Sequence, residues 1–212
     1  MERFARSLFW LQIVLAWAYS VPQAWRLIGN TQSITVTFYL LMFLFILFNL
    51  SLSINAFLVD HKESSKRIVW IYANWTLLVG LLLAIVSWKG VWKNTDNIVL
   101  ILAFVATISV LVIGYKMNLS YRDSIIRGIL ACIYKGGPQL YLAYCIIQNH
   151  GASDLAPLAV WVANSTALLR IYQISFSIRQ SGWTRDLLGL VISESGNEIT
   201  WMLVTVIWLL VW

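Results

Sequence analysis

Seven apolar stretches, each close to the length of a membrane-crossing helix, constrain this 212-residue chain more than any other feature. A helix needs about 20 apolar residues to cross the hydrocarbon core of a bilayer. Strands of membrane barrels are about half that length and alternate in polarity, which these stretches do not. Because 60% of the residues are hydrophobic and 11% are charged, a soluble domain of this size could not bury so much apolar surface. We therefore predict an all-α membrane protein of one domain, residues 1–212, with transmembrane helices at residues 7–28, 34–58, 68–88, 97–115, 124–148, 155–178 and 187–212.

The basic residues are distributed unevenly between the two sides that these helices define. The amino-terminal side collects ten of them: Arg3, Arg6, Lys62, Lys66, Arg67, Lys116, Arg122, Arg127, Arg179 and Arg185. The opposite side has three: Arg26, Lys89 and Lys93. By the positive-inside rule this bias predicts a cytoplasmic amino terminus, in a bacterial inner membrane or a eukaryotic endomembrane. It also explains the net charge of +6 without a nucleic-acid partner.

The cysteines and histidines do not form a pattern typical of a metal or redox site. Cys132 and Cys145 are on one predicted helix, 13 residues apart, which is about 20 Å of helical rise and too far for a disulfide. His61 and His150 fall in predicted loops, away from any Cys/His ligand pattern. We therefore expect no metal site, no cofactor and no enzymatic activity.

A Pro-Gln pair occurs twice within the apolar stretches, and its prolines, Pro22 and Pro138, are 116 residues apart. Proline inside a helix removes a backbone hydrogen bond and collides with the preceding turn. The neighbouring glutamine must find hydrogen-bond partners where water is absent. Each pair comes near the end of its stretch, before a short polar connection, NTQS or NHGASD. The duplication indicates an internal repeat.

The repeat extends over three helices in each half of the chain. The third helices carry Asn74 in IYANWT and Asn197 in ESGNEI, so residues 7–88 correspond to residues 122–212. Because three is odd, two directly joined copies would lie upside down relative to each other. The intervening helix, residues 97–115, reverses the second copy. We predict a 3+1+3 architecture, in which an inversion linker helix joins two parallel triple-helix bundles.

Two longer stretches, SVPQAWRLIGNTQSITVTFYLL and KGGPQLYLAYCIIQNHGASDLAPLAV, resemble the paired signatures of the PQ-loop family, which is related to the SWEET (MtN3/saliva-related) transporters. The resemblance covers both halves of the chain and implies a seven-helix solute carrier. It implies that Pro22 and Pro138 are hinges and that Asn74 and Asn197 line a central solute pocket. Members of this family usually place the amino terminus away from the cytoplasm, opposite to the orientation that the charges predict here.

Helical spacing gives a second indication of the pocket. One face of the first helix carries Gln12, Ala16, Tyr19 and Gln23, and the corresponding face of the fifth carries Gly128, Cys132, Lys135 and Gln139. Trp70 and Trp75 lie close to Asn74 in the sequence, and an amide with aromatic surface suits a polar solute that has an apolar face. The alternative is that each asparagine only bonds a neighbouring helix. The predicted solute-binding residues are Tyr19, Trp70, Asn74, Trp75, Lys135 and Asn197.

Four charged residues fall within the predicted helices: Lys135, Arg170, Glu194 and Glu198. Charges at membrane depth face a bundle interior or a water-filled cavity. In one interpretation the two cations and two anions neutralise each other and fix the packing, with Arg170 as a charge partner. In the other, Lys135 or Arg170 binds an anionic group of the solute, or a glutamate carries a coupled proton. Glu198, next to Asn197, is the preferred proton carrier, and Glu194 is the second candidate.

These observations predict a transporter for a small polar solute such as a sugar, an amino acid or a nucleoside- or vitamin-like molecule. We expect alternating access, in which Pro22 and Pro138 let each half-helix tilt, with proton coupling left open. Gln23 and Gln139 complete the hinges, either by capping the backbone groups that a kink exposes or by exchanging hydrogen-bond partners between states. The alternative is a non-transporting receptor or sensor for a small ligand or cargo on the same fold. The expected surroundings are the lipid bilayer, and the sequence leaves open whether the protein is a homo-oligomer.

Overall fold

The computed structural model describes residues 2–29, 36–89, 92, 94–148 and 157–211. All regular secondary structure in these residues is helical. The seven helices are α1 (Glu2–Gly29), α2 (Val36–Asp60), α3 (Glu63–Lys89), α4 (Asn94–Lys116), α5 (Ser124–Gln148), α6 (Pro157–Ser181) and α7 (Arg185–Val211). The predicted all-α fold and the number of helices are confirmed for this part of the chain.

Three of the helices are long and apolar enough to cross a membrane, namely those at Val36–Asp60, Glu63–Lys89 and Asp96–Lys116. The last of these, α4, is the most exposed, and large apolar side chains such as Ile101, Leu102 and Phe104 point away from the protein. Lipid chains solvate such a surface, whereas water would not. The chain is therefore a helical membrane protein.

The predicted helix positions lie inside the observed helices wherever the structure describes them. Six of the observed helices continue a few residues beyond the predicted bounds at one or both ends, and α5 matches its prediction. Polar side chains cap the starts of α5 and α7. The backbone N–H of Ile125 donates to the Asp123 carboxylate at the start of α5, and that of Leu187 donates to the Thr184 hydroxyl at the start of α7. The polar connections NTQS and NHGASD, together with Lys93, His150 and Trp212, lie outside the described residues.

Both prolines of the repeated pair lie within continuous helices. Pro22 is inside α1 and Pro138 is inside α5. Proline has no backbone N–H, so the carbonyl groups of Ala18 and Tyr134, one turn earlier, lose their usual helical donors. Each helix therefore has a local weak point in its backbone hydrogen bonding, about two thirds of the way along α1 and just beyond the middle of α5.

The helix contacts follow the same plan in the two halves of the chain. In the first half, α3 packs against α1 and α2; in the second, α7 packs against α5 and α6. Between the halves, α2 packs against α5 and α7, and α1 and α3 pack against α6. α4 packs mainly against α5. Each contact in one half thus has a counterpart in the other when α1, α2 and α3 are matched with α5, α6 and α7.

Helices α5 and α7 meet backbone to backbone. A Cβ atom added to Gly128 would collide with the backbone of Gly189, and one added to Gly189 would collide with the carbonyl group of Ser124. Small residues at such crossings let membrane helices approach closely. This contact sets the positions of the polar side chains further along α5 and α7.

Candidate functional site

A buried cavity lies where the two halves of the chain meet. Its wall is built from all helices except α4: Tyr19, Met42, Phe45, Ile46, Trp75, Lys135, Gln139, Ala163, Thr166, Ala167, Arg170, Asn197 and Trp201. The space open to the centres of water molecules is ≈ 20 Å³, which is room for about one water molecule. In this structure the cavity therefore has no room for an organic solute.

A fully buried carboxylate, Glu194 of α7, organises the polar groups beside the cavity. Its oxygens accept hydrogen bonds from the Tyr72 hydroxyl at 2.7 Å, the Asn197 amide at 3.0 Å and the Asn49 amide at 3.4 Å. The Nε atom of Arg170 lies 3.2 Å from Glu194 Oε2. Side chains from α2, α3, α6 and α7 thus converge on one negative charge, which satisfies a group that would otherwise be expensive to bury.

The glutamine of the second Pro-Gln pair belongs to the same network. The Gln139 amide donates to Asn197 Oδ1 at 3.2 Å, and the Thr200 hydroxyl donates to Gln139 Oε1. Asn197 in turn donates to Glu194. In this structure the Gln139 side chain therefore bonds to Asn197 and Thr200 of α7 and not to the backbone of its own helix, and exchange of partners between states stays a prediction.

The two buried cations have different surroundings. Arg170 has Glu194 as a counter-ion, and its guanidinium carbon lies 5.5 Å from the centre of the Trp75 ring. The Lys135 ammonium lies over Phe45 and Trp201, at 5.6 Å and 5.8 Å from the ring centres. Among the described residues, no carboxylate lies within ion-pair distance of Lys135. Of the four charged groups, Arg170 and Glu194 are the pair within ion-pair distance among the described residues, while Lys135 and Glu198 interact with them over longer distances.

Glu198 is buried next to this cluster but outside the cavity wall. It interacts electrostatically with Arg170 and Glu194. Its Oε2 atom is buried and has no hydrogen-bond partner among the described residues. Glu198 is thus the less satisfied of the two buried glutamates.

The predicted inward face of α1 is buried in the structure. Gln12, Ala16, Tyr19 and Gln23 are all enclosed, and Tyr19 reaches the cavity with its ring centre 5.6 Å from that of Trp75. On α5 the corresponding Gly128, Lys135 and Gln139 are buried and Cys132 is partly buried. Helical spacing alone was sufficient to identify these two faces.

Asn74 and Trp70 do not reach the cavity, which corrects the prediction that a matched pair of amides lines it. Asn74 accepts a hydrogen bond from Trp17 Nε1 at 3.2 Å, and it lines a groove between α1 and α3 on the outer surface. Trp70 lines the same groove and is 60% exposed. Successive residues of a helix are turned by about 100°, so Asn74 diverges from the neighbouring Trp75, which faces inward.

Tyr72 and Trp75 of α3 have the same three-residue spacing as Glu194 and Asn197 of α7. Both pairs are buried, and each lies on the helix that packs against the other two helices of its half. Tyr72 was not identified from the sequence, although it stands at this spacing and donates to Glu194. The two buried pairs therefore share spacing and burial but differ in residue type.

No family model, no curated protein and no solved structure matches this chain. The described residues also contain no group of three His, Cys, Asp or Glu side chains that could hold a metal ion. The function must therefore be inferred from the geometry of the cavity and from the two Pro-Gln stretches.

Proposed function

We propose that this protein is a 3+1+3 membrane transporter that moves a small polar solute through the cavity between its two triple-helix bundles. The matching helix contacts of α1–α3 and α5–α7 support the repeat. The helices have 23 to 28 residues, and at 1.5 Å per residue each is long enough to cross a hydrocarbon core of about 30 Å. The resemblance to the PQ-loop family supports the same architecture.

The observation that carries the proposal is the position and chemistry of the cavity. It lies between the two halves, and it combines the polar groups of Lys135, Gln139, Arg170 and Asn197 with aromatic surface. Transporters built from repeats place the solute site near the bilayer midplane, at the interface of the repeats. Charged groups within a membrane are functional candidates because burying them is unfavourable.

The size of the cavity supports alternating access. Because the cavity has room for about one water molecule, a solute can enter only if the bundles move apart. The weak points at Pro22 and Pro138 allow one part of α1 or α5 to tilt while the rest keeps its packing. The structure would then correspond to the occluded or empty closed state of the cycle.

Polar contacts close one end of the bundle and join the two halves there. The Ser181 hydroxyl donates to Asp60 at 3.0 Å, and Arg127 donates to the Ser51 hydroxyl at 2.8 Å. The Lys62 ammonium donates to the Gln180 carbonyl oxygen at 2.7 Å. Opening at this end would break these contacts, which have water as an alternative partner at the membrane surface. This end is the proposed gate on the side of the amino terminus, which the charge bias assigns to the cytoplasm.

Solute flux into vesicles tests the proposal. Purified protein is reconstituted, and uptake of radiolabelled sugars, amino acids, nucleosides and small organic acids is compared with that of empty vesicles. We expect Pro22→Ala and Pro138→Ala each to slow uptake, and the double variant to slow it most, at equal amounts of folded protein. Gly137→Ala, which changes a neighbouring exposed position with open space around it, is the matched control. Normal rates in all the proline variants would refute hinging, and saturable binding without flux would instead indicate a receptor or sensor.

A further inference from the structure

The charged residues on the wall of the cavity, Lys135 and Arg170, are both cations. They come from α5 and α6, and they are only 7% and 8% exposed. The two nearby carboxylates, Glu194 and Glu198, are behind the wall and do not line the cavity. A solute entering this space therefore meets positive charge.

Lys135 has no carboxylate within ion-pair distance among the described residues, and Glu194 acts on it only from further away. The faces of Phe45 and Trp201 attract its ammonium group, but aromatic rings replace only part of what an ion pair provides. An ammonium group has three N–H donors, and none of them has a hydrogen-bond acceptor among the described residues. An anionic ligand in this cavity would therefore supply what the buried ammonium group lacks.

Arg170 adds directional donors to the same wall. Its Nε atom faces Glu194, but the two do not form an aligned hydrogen bond among the described residues. A guanidinium group has five N–H donors in one plane, so its terminal nitrogens can contact a ligand while Nε stays near Glu194. Planar donors of this kind match the two oxygens of a carboxylate.

The charges on the cavity wall favour a monoanion. Arg170 is paired with Glu194 and Glu198 lies behind the wall, so Lys135 is the cation on the wall that has no carboxylate within ion-pair distance among the described residues. A solute with an additional ammonium group would need a carboxylate, but the cavity wall presents none among the described residues. The aromatic rings of Tyr19, Trp75 and Trp201 suit a small organic body.

We propose that the solute is a small organic monocarboxylate whose carboxylate group binds between Lys135 and Arg170. This assignment depends on the cavity being the solute site of the proposed transporter. Neutral sugars and zwitterionic amino acids are then poorer ligands, because they leave Lys135 without a counter-ion or introduce an unpaired cation.

Binding of lactate and lactamide to the purified protein tests this assignment, because the two have nearly the same shape and only lactate carries a charge. We expect lactate to bind at least tenfold more tightly than lactamide, alanine or glucose in calorimetry and thermal-shift measurements. Lys135→Met should weaken lactate binding by roughly 30-fold or more, since it removes one partner of a buried charge pair. Lys116→Met, at an exposed position of α4 outside the cavity, should leave binding unchanged.

The comparison of lactate with lactamide in the unaltered protein does not depend on whether a variant folds. Equal binding of lactate and lactamide, absence of lactate binding, or full lactate affinity in folded Lys135→Met protein would overturn the assignment. Uptake into vesicles separates this result from the transport proposal. Charge-dependent binding of lactate without uptake would support the anion site and refute transport. Uptake of a neutral solute with no lactate binding would support transport and refute the anion site.

Discussion

Replacing Glu194 by glutamine is expected to destabilise this protein strongly, because it breaks a buried ion pair. Glu194 is fully buried and lies within 3.4 Å of donors from Tyr72, Asn49 and Asn197, and 3.2 Å from Arg170. The substitution keeps the shape of the side chain but removes the carboxylate that lies within ion-pair distance of Arg170 among the described residues, and it leaves only the longer-range attraction of Glu198. Breaking a buried pair in this way costs about 3–5 kcal/mol. We expect a decrease of this size in the free energy of unfolding.

Chemical unfolding in detergent, followed by far-ultraviolet circular dichroism, measures this change. Glu63→Gln is the matched control, because Glu63 pairs with Lys66 at the surface, where the two side chains are 65% and 48% exposed. An exposed ion pair contributes about 0–1 kcal/mol, so this control should behave nearly as the unaltered protein does.

A second substitution distinguishes loss of the ion pair from general damage. Arg170→Met in the Glu194→Gln background removes the uncompensated charge and should recover part of the lost stability, giving a favourable interaction energy in the double-mutant cycle. The reasoning would be wrong if Glu194→Gln unfolded within about 1 kcal/mol of the unaltered protein. It would also be wrong if adding Arg170→Met made the protein still less stable.

Individual contacts give three more expected outcomes. Gly128→Ala should lower the free energy of unfolding by about 1–3 kcal/mol, because its Cβ would collide with the α7 backbone; Gly137→Ala, which meets open space, should not destabilise the protein in the same unfolding experiment. Asn197→Ala should abolish the ligand-induced thermal shift, whereas Asn74→Ala, on the outer surface, should leave it intact; the opposite order would show that the cavity is not the binding site. Glu198→Gln should prevent uptake driven by a pH gradient while preserving exchange of labelled solute, and unchanged gradient-driven uptake would exclude Glu198 as the proton carrier.

The helix positions were predictable because crossing a membrane requires a long apolar stretch, and such stretches are visible in the sequence. The match is complete for α5, at Ser124–Gln148, where Asp123 supplies a capping carboxylate just before the apolar run. The buried faces of α1 and α5 were also predictable, since polar residues such as Gln12 and Gln139 recur there at helical spacing in otherwise apolar helices.

The inward face of α3 was not predictable in the same way. In a soluble protein the buried face of a helix is apolar and the exposed face is polar, but a membrane helix has apolar surroundings on both sides. The sequence around Asn74 therefore offered two faces of similar hydrophobicity, and the asparagine indicated the wrong one. Its amide is instead paired with Trp17 at the outer surface, an interaction between α1 and α3 that spacing along a single helix does not reveal.

By itself, the sequence determined that this is a membrane protein made of helices, approximately where each helix lies, and that two buried cations and two buried anions must share its interior. Only the tertiary structure decided that Arg170 pairs with Glu194, that Lys135 faces aromatic rings, and that Tyr72 supplies a hydrogen bond to the buried carboxylate. The physical reason is that hydrophobic transfer into a bilayer depends on composition along one segment. The pairing of charges depends instead on distances of about 3–4 Å between segments, which the packing and rotation of the helices set.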